Sequence, residues 1–189
     1  NGSLGMVFSS HNRKTVLRHF EWMREYGIDG AFVQRFANGL KWPKHKHHKN
    51  VVLAHSRAGA YQSGRAYAVM YDLSGLKQGD AKLVCEDWKE LRSKAHITKD
   101  SAYIHHEGRP VVAVWGVGFN DNREYTLEDC RRIIQFLKDD GCTVMVGVPT
   151  AWRTQGEDAV KDKGYHEILK LADILSPWSV GRYDTIDTA

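Results

Sequence analysis

Short runs of β-branched and aromatic residues alternate with longer segments whose apolar positions recur at three- and four-residue steps, and the alternation continues along the whole chain. The clearest helical period is Val16, Leu17, Phe20 and Met23, which predicts a helix over about residues 13–26 stopped by Gly27. Further helices are expected over about 46–63, ending at Gly64, over 81–94, from Thr126 to about 137, and over about 164–172. Thr126 is the N-cap candidate of its helix, with Glu128 and Asp129 in the first turn where the helix dipole favours acids. Strands are expected over 6–10, 30–36, 66–72, 111–117, 143–148 and 173–178, and residues 103–109 read as an extra strand or turn before Pro110.

Near-continuous apolar strands joined by helices imply a parallel sheet covered on both faces. The strand ends favour a barrel over an open doubly wound sheet. Gln34, Arg35, Tyr71, Asp72, Trp115, Trp152 and Trp178 stand at or just after strand ends, whereas no glycine-rich phosphate fingerprint opens a helix. Gly116-Val117-Gly118 follows a strand but lacks the third glycine and the immediate helix. The expectation is an α/β chain of (β/α)8 TIM-barrel type, read as one domain over 1–189. Such barrels need at least about 200 residues, and six βα units are readable here, so the barrel is expected to be incomplete. Association with another copy or further chain segments would complete it.

Composition narrows the function. The 42% hydrophobic and 26% charged content excludes a disordered or collagen-like chain. No window approaches the roughly 18 to 20 apolar residues of a membrane span, so no membrane partner is expected. The net charge of +4 is not gathered on an aromatic-interleaved face; its one dense run, Lys41 to Lys49, reads as a solvated surface, with adventitious metal binding and anion or nucleic-acid contact as lesser alternatives. A nucleic-acid partner is therefore not expected. Cys85, Cys130 and Cys142 form no disulfide framework and no C-x-x-C pair, and no G-x-S-x-G elbow or Cys–His pair suits acyl transfer. His55, His96, His105, His106 and His166 lie away from strand ends and read as surface or structural groups. No metal site and no cofactor is expected.

Position then selects the candidate chemistry, because the site of a parallel barrel lies at the C-terminal ends of its strands. Asp72 ends an apolar strand before Leu73-Ser74-Gly75, and its carboxylate either faces the barrel mouth or caps that turn through an Asx hydrogen bond. By alternation, one of Gln34 and Arg35 faces the mouth and the other packs outward. Trp115, Trp152 and Trp178 could stack on the apolar face of a pyranose, while Trp22 and Trp88 lie in helices and read as core. Tyr71, Asn120, Asp121 and Tyr183 complete the expected substrate-binding set, with Arg123, Arg153, Arg182 and Asp184 beside them.

The segments His19-Phe20-Glu21-Trp22-Met23-Arg24-Glu25-Tyr26-Gly27-Ile28-Asp29-Gly30, Phe32-Val33-Gln34-Arg35-Phe36, Arg65-Ala66-Tyr67-Ala68-Val69-Met70-Tyr71-Asp72-Leu73-Ser74-Gly75 and Pro110-Val111-Val112-Ala113-Val114-Trp115-Gly116 resemble glycoside hydrolases of the family 71 and 99-like group, over about residues 6–183. The resemblance implies a (β/α)8 barrel with endo-acting α-mannosidase or α-glucanase activity, no metal, and an extracellular or periplasmic location. In family 99 enzymes two carboxylates three residues apart at one strand end share the work, one assisting through the sugar 2-hydroxyl and the other serving as general acid/base. Asp72 matches the first position. Gly75 stands at the second and cannot transfer a proton, which leaves Asp121 or Asp184 as candidates. The family's opening strand, rich in Tyr, Pro and Trp, and its closing strand have no counterpart. The expected function is hydrolysis of an α-linked, mannan- or glucan-like glycan through Asp72, the alternative being a lectin-like protein that binds glycan on the same scaffold without turnover.

Overall fold

The computed structural model describes residues 7–181. In chain order the elements are α1 (Arg13–Glu25), β1 (Gly30–Phe36), α2 (Pro43–Ser63), β2 (Ala66–Asp72), α3 (Ala81–Ser93), β3 (His105–His106), β4 (Arg109–Trp115), α4 (Leu127–Asp139), β5 (Thr143–Pro149), α5 (Tyr165–Leu169) and β6 (Ile174–Trp178). Strands pair in the order β1-β2-β4-β5-β6, all parallel, and β3 adds a short antiparallel pair on β4. Each parallel strand lies beside the next one in sequence. This single direction of winding is that of a barrel, whereas a doubly wound sheet reverses its order midway. Among the described residues β1 and β6 each have one partner, so the barrel is open.

Two expected elements differ. Residues 7–10 form no strand, and residue 6 lies outside the described residues. Ser9 turns the chain instead: its Oγ accepts the His11 N–H and its carbonyl accepts the Asn12 N–H, leaving Val7 and Phe8 exposed. The six strands are therefore five parallel strands plus β3. The last helix is also shorter than expected, because Leu171 and Ala172 bond three residues back to Ile168 and Leu169 and tighten the chain out of the α-helix.

The core lies between the sheet and its helices. Tyr67, Val69 and Tyr71 of β2, Val112 and Val114 of β4, and Val144, Val146 and Val148 of β5 are fully buried, as are Trp88 of α3 and Ile133, Ile134 and Leu137 of α4. Helix α4 starts as its sequence predicts. Thr126 Oγ1 accepts the Asp129 N–H, and the Asp129 carboxylate accepts the Thr126 N–H, a complete capping box. Thr126→Ala is expected to lower unfolding free energy by about 1 kcal/mol, measured by urea denaturation.

The cysteines sit in this layer as core residues. Burial, followed by the Asp129 carboxylate, pushes the Cys130 thiol up to about 12, and burial followed by Asp140 does the same for Cys142. Both thiols should resist a thiolate-selective reagent at pH 8 and react only on unfolding, with half-buried Cys85 the first to label. Labelling of Cys130 or Cys142 in the native protein would contradict this packing.

Candidate functional site

Alternation along β1 sends Val33 and Arg35 toward the helices and leaves Phe32, Gln34 and Phe36 exposed on the opposite, concave side of the sheet. The register carries this face across the sheet: Gln34 lies beside Met70, Met70 beside Ala113, and Ala113 beside Met145. One step nearer the strand ends, Phe36 lies beside Asp72, Asp72 beside Trp115, Trp115 beside Gly147, and Gly147 beside Ser176. A cavity of about 670 Å³ occupies this face. Its floor is Phe32, Gln34, Met70, Ala113 and Met145, and toward the strand ends it is lined by Trp115, Asp121, Arg123, Ser176 and Trp178.

Asp72 closes β2 and is 3% exposed. Gln34 Nε2 donates to Asp72 Oδ2 at 2.5 Å, and the Ser74 N–H donates to Asp72 Oδ1 at 2.8 Å. The turn-capping reading of Asp72 is the one realised: one oxygen caps the Leu73-Ser74 turn, while the other accepts the amide of Gln34, which lines the cavity where Asp72 itself does not.

Three of the aromatic and acidic candidates gather at the cavity. Trp115 and Trp178 meet nearly at right angles, with ring centroids 4.9 Å apart and planes at 68°, and Phe119 lies 5.5 Å from Trp115. Asp121 receives Arg123 through Nε at 2.5 Å and Nη2 at 2.8 Å. Arg123 Nη1 donates to the Tyr125 hydroxyl at 2.7 Å, and its guanidinium lies 4.8 Å from the Phe119 ring. Burial works against the Arg123 charge, but Asp121 and Tyr125 more than offset it, so its pKa lies above the ordinary arginine value.

Other expected site residues lie elsewhere. Arg35 is fully buried on the helix side, where Nε and Nη2 donate to the two oxygens of Asp87 on α3 and Nη2 also reaches Asn50 Oδ1. Tyr71 is on the same side, its hydroxyl donating to Asp87 Oδ2 at 2.8 Å. Both residues are corrected from substrate-facing to structural, because strand alternation pairs them with the helix layer. Burial and then the Asp87 carboxylate hold the Tyr71 hydroxyl well above the usual tyrosine pKa. Asn120 Nδ2 donates to the Glu157 carbonyl in an exposed loop, and Trp152 packs at the core edge with its carbonyl on His166 Nε2; neither lines the cavity. Arg182, Tyr183 and Asp184 lie outside the described residues. Phe32, Met70, Phe119, Met145 and Ser176 were not anticipated from sequence. The i, i+2 spacing of Phe32, Gln34 and Phe36 is the signal that marks this face on β1.

Among the described residues no group of three or more His, Cys, Asp or Glu side chains is disposed to hold a metal ion. No family model matches the chain, and no curated protein matches it. Among solved structures it is similar to two of the GH99 endo-alpha-mannosidase from Bacteroides thetaiotaomicron. One, in complex with BIS-TRIS-Propane, shows 11% identity over 90% of this chain and 71% of that chain. The other shows 10% identity over 93% of this chain and 75% of that chain, and the TM-score is 0.47 for both.

Proposed function

We propose that the protein is a glycoside hydrolase-type barrel that takes an α-linked glycan, mannan- or glucan-like, on its concave face. The observation that carries this reading is the exposed Trp178 indole, backed by Trp115, on the same concave face as the Gln34–Asp72 pair at the C-terminal end of the strands. An indole face matches the C–H face of a pyranose, and amide and carboxylate groups beside it match the hydroxyls. Asp72 receives two N–H donors, which hold its carboxylate in place at the strand end beside Gln34. The substrate class follows the resemblance of the Tyr71-Asp72-Leu73-Ser74-Gly75 and Val114-Trp115-Gly116 segments to the family 71 and 99-like glycosidases.

A second reading, glycan capture without turnover, is favoured by one specific feature. Asp121 is engaged by Arg123, and Gly75 stands three residues after Asp72, so the described residues supply no evident proton donor for the leaving group. Incubation with α-linked manno- and gluco-oligosaccharides separates the two. Products in mass spectrometry support hydrolysis; calorimetric binding with no products supports capture. Neither products nor binding would overturn both.

A further inference from the structure

The cavity holds two tryptophans, and they are not equivalent. Trp115 is enclosed. Its indole lies directly on the backbone of Gly147, so closely that a Cβ on residue 147 would fall 1.9 Å from Cε3, 2.6 Å from Cζ3 and 2.8 Å from Cδ2. Phe119 and Trp178 contact the same indole. Trp178, by contrast, is 41% exposed. Its backbone is fixed independently of Trp115, by pairing with Pro149 and by the Thr150 hydroxyl donating to its carbonyl. Only its side chain rests on Trp115.

From this we infer that Trp178 is the sugar-stacking residue, that Trp115 is a positioning residue acting through it, and that Gly147 sets the pair by leaving room for the Trp115 indole. The inference rests on the glycan reading above and adds the shape of what is bound. Two indoles at 68° form a corner rather than a tandem platform. A corner seats one pyranose ring, with its C–H face on Trp178, whereas coplanar indoles would seat consecutive rings. Gly147 is not required by its backbone conformation, since it lacks the positive φ that disfavours L side chains. The three nearest atoms that an alanine Cβ there would meet all belong to the Trp115 indole.

The test is a double-mutant cycle on glycan affinity with a ligand-free readout beside it. Calorimetry with α-linked manno- and gluco-oligosaccharides is run on wild type, Gly147→Ala, Trp178→Ala and the double variant. Trp178→Ala is expected to weaken binding about tenfold and Gly147→Ala roughly three- to tenfold, the scale of an aromatic contact. The double variant should bind no more weakly than Trp178→Ala alone. Additive losses would overturn the inference, because Gly147 would then act by a route other than Trp178. The ligand-free readout is the far-ultraviolet circular-dichroism couplet of two indoles in contact. It should be lost in Trp178→Ala and reduced in Gly147→Ala; an unchanged couplet in Gly147→Ala would overturn the positioning role. Should Gly147→Ala not fold, Trp115→Phe, which shrinks the supporting ring, is expected to give the same loss of affinity and the same coupling. Failure of wild type to bind any of these sugars would remove the stacking role together with the glycan reading, while a couplet altered by Gly147→Ala would still uphold the role of Gly147 in setting the indole pair.

Discussion

Asp87→Ala should lower the free energy of unfolding by about 3 to 5 kcal/mol, as expected when one member of a buried ion pair is removed and its partner stays behind. Asp87 is 1% exposed and receives Arg35 Nε at 3.0 Å, Arg35 Nη2 at 2.7 Å and the Tyr71 hydroxyl at 2.8 Å. Its loss leaves the fully buried Arg35 guanidinium with Asn50 as its remaining partner. Arg35 Nη1 already has no protein partner, so the site has no spare acceptor to redirect it. The network joins β1, β2 and α3, and β1 is an edge strand, so the damage should spread to that edge. Urea denaturation measures the loss. A change below about 1 kcal/mol, the scale of an exposed pair, would contradict the geometry. The double substitution Arg35→Met with Asp87→Leu should recover much of the stability, because it removes both charges and keeps the volume.

Asp72→Asn should reduce glycan turnover by about 10²- to 10⁴-fold, the usual scale for a positioned acid/base group. The substitution is nearly isosteric; its oxygen can accept the Ser74 N–H while its amide donates to the Gln34 side-chain oxygen once that amide turns over, so the turn and the fold should persist. Binding should change much less, because the Trp178 stacking surface is untouched. Steady-state rates and calorimetry on the same oligosaccharides give the two quantities separately. Equal losses of turnover and affinity would assign Asp72 to binding. Under the capture reading the variant leaves affinity near wild type and there is no turnover to lose.

Much of this architecture is written locally in the sequence. Residues 66–72 form an apolar run that only a strand covered on both faces tolerates, and the Thr126–Asp129 capping box marks the start of α4. The placement of Asp72 at a strand end followed from the same run. Gln34 and Arg35 were separable only in part. Alternation requires that they face opposite ways, but which faces the helices is decided by Asp87, which lies 52 residues further on and shows no local signal. Phe32 and Phe36 look like core residues in sequence, yet they are exposed, because among the described residues β1 is an edge strand of an open barrel. The run at 6–10 has strand-like residues, but Ser9 satisfies the following backbone groups in a turn. Trp115 and Trp178 end β4 and β6, whereas Trp152 follows β5 in a loop that carries it to the core edge.

The central claim is that the concave face takes the ligand, and the chain's methionines report on it directly. Met70 and Met145 lie in the cavity floor, whereas Met23 is on α1, outside the cavity. Titration of ¹³C-methyl-methionine protein with α-linked oligosaccharides should shift the Met70 and Met145 signals and leave that of Met23 in place. Shifts at Met23 alone, or none at any of the three with the sugar in large excess, would contradict the account.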